Sequence, residues 1–419
     1  MLKFKQHTSN ILSPQEPSSR IKLDKNQYDY QSQQIFQLSL KKKVGITLIL
    51  ILILSAFSYT LFALDHQKKL NNSFFSQKIT KINNSSIPNQ ILYTDSQGIR
   101  VTGNQLRKDG SLFIPHGFNM VGVLSPPGCT NAIGTTARNH FGQAEMNAAK
   151  QWHANILRFQ VSQTGLSTTN SSKLSQYITQ IEHSVALARS NGFVVILSMQ
   201  DQGISCGKAH PLPNAATVTA WNNLAPHFAK DPYVIFELFN EPQNDTTTNG
   251  WDQWLNGGNL PLANDGTTSV GHQTLVTDIR SLGANNVIIA DGAGFAEKLQ
   301  GIPMLQDIRS GRGIAYAVHP YTYTEKSEQT AWNTRFGYLT ATVPVIATEW
   351  HYKLNQCGTK AQTLAPTFLS YLQSHHIGIL AHAFDVPGFI ITGWSWAPTT
   401  CGASGSGPGS LIKNFFLSN

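Results

Sequence analysis

Two glutamates close long apolar runs. Glu241 ends YVIFELFNE (233–241) and is followed by Pro242, while Glu349 lies near the end of PVIATEW (344–350). A carboxylate placed behind so much hydrocarbon is costly to bury unless it pairs or reacts. Taken singly, either could cap a helix or meet a surface lysine. As a matched pair facing one another across a cleft, they suit the hydrolysis of a glycosidic bond. One carboxyl would give and then take back a proton and the other would attack the anomeric carbon, with the two roughly 5–5.5 Å apart if configuration is retained. The chain lacks a G-x-G-x-x-G turn, a phosphate loop, an H-E-x-x-H or C-x-x-C spacing and a serine-histidine-aspartate elbow. No cofactor and no metal are therefore expected.

The elements that would bring the two glutamates together are legible as eight apolar runs: 113–123, 155–162, 193–200, 233–241, 286–292, 314–321, 344–350 and 377–384. Each has strand length and is rich in Val, Ile and Phe. Most lack the alternation of a half-exposed strand, as expected for parallel strands covered on both faces. Between them lie amphipathic stretches of helical period, including KLSQYITQIEHSVALARSNG, TVTAWNNLAPHFAKDP, AEKLQGIPMLQDIRSG and QTLAPTFLSYLQSHH. Eight strands alternating with seven helices and a short C-terminal one predict an α/β fold, a (β/α)₈ TIM barrel over 91–419. A doubly wound open sheet is the alternative. Segment 93–114 reads as a hairpin under the barrel, with Asp109-Gly110 at its turn. Glu241 and Glu349 then fall at the C-terminal ends of the fourth and seventh strands, where such barrels place their chemistry.

With Asn240-Glu241-Pro242 inside FELFNEP and Ala347-Thr348-Glu349-Trp350 on the seventh strand, the sequence resembles glycoside hydrolase family 5, the cellulase and mannanase family of (β/α)₈ retaining glycosidases. The resemblance spans essentially all of 91–419. It implies Glu241 as general acid/base, Glu349 as nucleophile and Asn240 as the ligand of the sugar 2-hydroxyl. It further implies Arg158 as the charge beneath the nucleophile, and His319 and Tyr321 of AVHPYTY as a contact to the acid/base and a hydroxyl beside the nucleophile. An alternative for Arg158, neutralising Glu237, is compatible with that role. Two positions depart from the family pattern. Gln200 stands where the third strand carries a histidine; it can still hydrogen-bond a hydroxyl. On the eighth strand His382 or Phe384 occupies the place of a tryptophan platform, so that Trp394 or Trp396 of GWSWAP would fold back to supply the ring. Trp350, Trp251 and Trp254 are further candidates for stacking on sugar faces. The expected substrate is a β-linked polysaccharide or oligosaccharide, as for a cellulase or endoglucanase. A β-mannanase or β-1,3-glucanase specificity, a wall transglycosylase and an idle carbohydrate-binding surface protein are the alternatives.

The chain has 419 residues, 41% of them hydrophobic and 13% charged, enough for a large core and too apolar for a disordered protein. Its net charge of +8 is concentrated in residues 1–43, where eight Lys and Arg face only Glu16, Asp24 and Asp29. The remainder is nearly balanced, so no nucleic-acid partner is expected. Residues 44–64 (VGITLILILILSAFSYTLFAL) are free of charge and long enough for a membrane-spanning helix. The lysines at 41–43 would keep the tail cytoplasmic and send the rest outside as a single-pass, extracytoplasmic domain. A cleaved signal, giving a secreted protein, is the alternative. Residues 65–90 read as a tether, 1–43 as a disordered basic tail, and the protein is expected to be monomeric. The four cysteines, Cys129, Cys206, Cys357 and Cys401, fall in loops after the first, third, seventh and eighth strands. Two disulfides are expected on an exported domain, and among three connectivities Cys129–Cys206 with Cys357–Cys401 fits the neighbouring loops best; a zinc site is the alternative.

Overall fold

Eight runs of buried backbone pair edge to edge until the sheet closes on itself. The computed structural model describes residues 96–203, 206–259, 268–309, 311–321, 329–402 and 407–419. The barrel strands are β1 (His116–Met120), β2 (Ile156–Ser162), β3 (Val194–Gln200), β4 (Val234–Glu237), β5 (Ile288–Asp291), β6 (Ile314–Val318), β7 (Val345–Trp350) and β8 (Gly378–Ala381). They are parallel and neighbour one another in chain order, with β8 returning to β1. Every residue of all eight strands is buried. That explains why their sequences run apolar rather than alternating: one face fills the barrel and the other meets helices. The eight expected runs correspond to the eight strands one for one, and the open-sheet alternative falls away.

The outer layer contains the helices Gln143–Gln151, Ser171–Ser190, Ala215–Phe228, His272–Ser281, Lys360–Ser374 and Pro408–Leu417. One expected helix does not form. After β5 the chain makes a single distorted turn, Ala293–Ala296, in which Gly294 and Phe295 are left-handed, and then runs without helix to β6. Pro303 lacks an amide donor, and Gly301 sits at φ +77° just before it, so AEKLQGIPMLQDIRSG cannot propagate a helix. Its apolar period survives in another form, since Leu299, Ile302 and Leu305 are still buried. Helices Ala132–His140 and Thr248–Asn256 lie in the connections after β1 and β4.

Beneath the barrel, strands Ile99–Thr102, Gln105–Lys108 and Ser111–Leu112 form an antiparallel meander. The turn at Asp109-Gly110 has φ of 53° and 84°, the twist that a two-residue hairpin demands and that glycine adopts at little cost. Ile99, Leu106 and Phe113 plug the floor against Ile156, Val194, Ile196, Ile235 and Ile289. The Tyr233 hydroxyl, just before β4, fastens the turn by donating to Asp109 Oδ1 at 2.6 Å.

The described residues belong to the unit Ile91–Asn419. The basic tail, the apolar run 44–64 and the tether 65–90 lie outside the described residues. Among those described, no helix is long and apolar enough to cross a membrane.

Candidate active site

The site is built at the ends of β2, β3, β4, β6 and β7, and Arg158 lies at its base. Arg158 and Gln160 share one face of β2 by the two-residue period of a strand, and both reach the same carboxylate. Arg158 Nη1 and Gln160 Nε2 donate to Glu349 Oε1, the latter at 3.1 Å. The rest of the guanidinium is used as well. Nε pairs with Glu237, Nη1 donates to Asn119 Oδ1 at 2.6 Å, and Nη2 donates to Ser198 Oγ at 2.8 Å and Asn240 Oδ1 at 2.7 Å. The two roles weighed for Arg158 are thus both filled by one side chain, because a planar fork can meet two acids at once.

Glu241 lies four residues past the β4 ladder with φ +55°. Its amide donates to Asp291 Oδ2 at 3.0 Å. Gln202 Nε2 donates to Glu241 Oε2 at 2.9 Å, and His319 Nδ1 stands 3.0 Å from Oε1. Carboxylate oxygens of Glu241 and Glu349 and a ring nitrogen of His319 lie within 4.8 Å of one another. The Tyr321 hydroxyl donates to Glu349 Oε2 at 3.1 Å.

Burial opposes the ionisation of Glu349, but the charges of His319 and Arg158 outweigh it and hold the carboxyl well below the usual carboxylate range. Burial also opposes charging His319; Glu349 and the hydrogen bond to Glu241 lead the interactions that reverse that and push it up to about 9. Tyr321 is driven well above an ordinary phenol by burial and by Glu349, so it remains a donor. Glu237, Asp291 and His319 also converge within 4.8 Å, a span that would suit a cation. Here the positive charge comes from Arg158, whose N–H groups reach Glu237 and Glu349, and from His319, whose Nδ1 reaches Glu241.

Of the remaining expected residues, Gln200 is buried at the end of β3 and donates to Ser198 Oγ at 3.2 Å. Trp350 is a correction. Glu349 faces the barrel, so its neighbour on β7 must face the helices, and the Trp350 ring is fully buried against Phe368 at 5.1 Å. Trp251 and Trp254 are also core residues, packed edge to face at 5.7 Å. Trp394 lies flat on His140, with ring centroids 3.9 Å apart, and Phe384 is buried in a stack with Phe118. The place beside the nucleophile is taken by His382, whose Nε2 is 3.8 Å from Glu349 Oε2. His382 stacks with Phe389 at 5.4 Å, and Phe389 with His351 at 5.3 Å. Burial drives His351 down to about 3 and lowers His382 as well, and with Phe389 these rings form an aromatic wall. With Tyr321, Lys353 and Gln356 they line a pocket of about 680 Å³.

Gln160, Gln202, Asn119 and Asp291 were not anticipated. Gln160 carried a signal, its period-two relation to Arg158. Gln202 carried none, because a loop places it. That loop is fastened by Cys129–Cys206, and the loops after β7 and β8 are joined by Cys357–Cys401, the pairing expected from loop adjacency; all four cysteine sulfurs are so used, which leaves none for the zinc site weighed as the alternative.

Comparison with known proteins gives the family and the fold. The model of the family described as Cellulase (glycosyl hydrolase family 5) matches residues 127–386. A β-glucanase from Saccharophagus degradans in complex with cellotetraose is similar in structure, with TM-score 0.58 and 20% identity over 81% of this chain and 98% of that one. The catalytic domain of a Thermobifida fusca endoglucanase gives TM-score 0.55 and 15% identity over 76% and 97% of the two chains. That of a mannanase from Streptomyces sp. SirexAA-E gives 0.53 and 15% over 80% and 97%.

Proposed function

The chain belongs to the cellulase family, glycosyl hydrolase family 5, and is a retaining glycoside hydrolase; from that premise we propose that it hydrolyses a β-linked glucan by double displacement, with Glu241 as acid/base and Glu349 as nucleophile. The observation that carries this reading is the pair of carboxylates within 4.8 Å, one of them anchored by Arg158, Gln160 and Tyr321. Glu349, kept ionised by its cationic neighbours, attacks the anomeric carbon. Glu241 protonates the departing oxygen and then takes a proton from the water that releases the sugar. Asn240, held through its Oδ1 by Arg158, leaves its amide N–H for the 2-hydroxyl. The wall of His382, Phe389 and His351 serves as the platform for a pyranose face, in place of a tryptophan. The β-glucanase and endoglucanase among the similar structures favour a β-glucan, and the mannanase makes mannan the principal competitor.

We further propose that the enzyme acts outside the cell, held to the membrane by residues 44–64. The lysines at 41–43, the uncharged run itself and two disulfides on the catalytic domain support this.

The test is turnover of an aryl β-glycoside and of a panel of soluble β-glucans and mannans, with product configuration followed by NMR. Glu241→Gln and Glu349→Ala should each lower kcat by roughly 10³-fold or more, and the first-formed sugar should keep its β configuration. Full activity in either variant, or an inverted product, refutes the assignment. Binding without any bond cleavage would leave a carbohydrate-binding protein instead.

A further inference from the structure

Two buried acids play no part in the displacement just described. Glu237 ends β4 and Asp291 ends β5, and both are fully buried. The strands are neighbours, with Ile289 opposite Glu237, so Asp291 lies one same-face step further along. The four carboxyl oxygens divide into two with donors and two without. Glu237 Oε2 takes the N–H of Arg158 Nε. Asp291 Oδ2 accepts the amide of Glu241 at 3.0 Å and lies 3.7 Å from His319 Nε2. Glu237 Oε1 and Asp291 Oδ1 are buried and have no donor so long as both groups are carboxylates. A single proton between them resolves both at once, because a protonated carboxyl donates where a carboxylate can only accept. A carboxylate oxygen of Glu237 and one of Asp291 lie within 4.8 Å of each other.

We propose that Asp291 is a neutral acid that donates through Oδ1 to Glu237 Oε1 and, through Oδ2, holds the backbone of Glu241 in position; it is a positioning residue, acting through the acid/base. The Arg158 Nε–H on Glu237 Oε2 favours the carboxylate there, whereas the hydrogen bond that Asp291 accepts comes from a backbone amide, and burial and the charge of Glu237 drive its carboxyl well above its ordinary range. Arg158, Glu237, Glu241 and His319 are the charged groups that face it.

Two consequences follow for the site. Glu241 adopts a left-handed backbone that a non-glycine residue takes up at a cost, and its amide bond to Asp291 offsets that cost. A neutral Asp291 also forms no ion pair with His319, which leaves the imidazolium to serve Glu241 Oε1 at 3.0 Å. The inference rests on the acid/base role of Glu241 given above.

Asp291→Asn reproduces a neutral acid, since its amide donates to Glu237 and its oxygen accepts from Glu241. Its kcat and KM should stay within about threefold of the parent, whereas Asp291→Leu, which cannot accept, should lose roughly 10²-fold in kcat with KM little changed. Infrared difference spectra of parent against Asp291→Asn should show the carbonyl stretch of a protonated carboxylic acid in the parent alone. A folded Asp291→Asn as inactive as the leucine variant, or no such band, overturns the proposal. The band and the asparagine variant decide even if Asp291→Leu does not fold. Failure of the acid/base assignment is seen separately, in the activity of Glu241→Gln.

Discussion

Arg158 is fully buried and meets Glu237, Glu349, Asn119, Ser198 and Asn240 together. A lysine would deliver one point charge where the fork delivers several aligned donors. Arg158→Lys should therefore cost both activity and fold: roughly 3–5 kcal/mol of stability, read from urea unfolding, because buried acids are left unpaired. His319 makes a pH prediction at the same scale. Its folded value of about 9 lies above the ordinary histidine value of 6.5. The stabilisation it brings is complete below pH 6.5 and is lost as pH rises through 9. The unfolding free energy from urea titrations should fall between those limits by an amount on the order of 3 kcal/mol. His319→Gln should flatten that slope; an unchanged slope in the variant would place its origin elsewhere.

The loops that complete the site depend on cross-links and close packing between elements. Gln202 reaches Glu241 from a loop that Cys206 ties to Cys129, across 77 residues of chain. Closing so long a loop is worth roughly 4 kcal/mol in the chain-entropy account. Cys129→Ser with Cys206→Ser should lower both the melting temperature and kcat. Gln202→Ala should reproduce the fall in kcat without the fall in melting temperature, which differential scanning calorimetry beside kinetics would separate. Within the barrel wall, a Cβ on Gly117 would stand 2.0 Å from the Ile156 carbonyl, so β1 approaches β2 only because that residue is glycine. Gly117→Ala should destabilise the barrel by roughly 1–3 kcal/mol, measurable by thermal unfolding.

Taken whole, the molecule combines a barrel plugged at its floor by the 96–114 meander with chemistry at the opposite end. The head of the chain is the proposed anchor. Full-length protein should sediment with membranes and be released by detergent but not by high salt, since an apolar span is held by hydrocarbon rather than by charge. A fragment of residues 91–419 should stay in the soluble fraction with the parent's kcat. Recovery of a shortened, active chain from the medium would instead identify 44–64 as a cleaved signal.

The eight strands and the two glutamates at strand ends could be read in advance because each follows from local pattern; the cysteine pairing followed from the loop adjacency of the expected barrel, and the role of Arg158 was implied by the family resemblance. Continuous apolar runs mean strands covered on both sides, and a polar residue closing such a run means a barrel lip. Other features were decided only by the folded chain. Trp350 looked available to substrate until the pleat turned it toward Phe368, and the fifth helix kept its apolar period while Gly301 and Pro303 denied it a helix. Gln202 and Asp291 both meet Glu241 through contacts between distant segments, and proximity of that kind leaves no trace in residue spacing. Local periodicity determines which face a side chain occupies; closure of the barrel determines what it meets there.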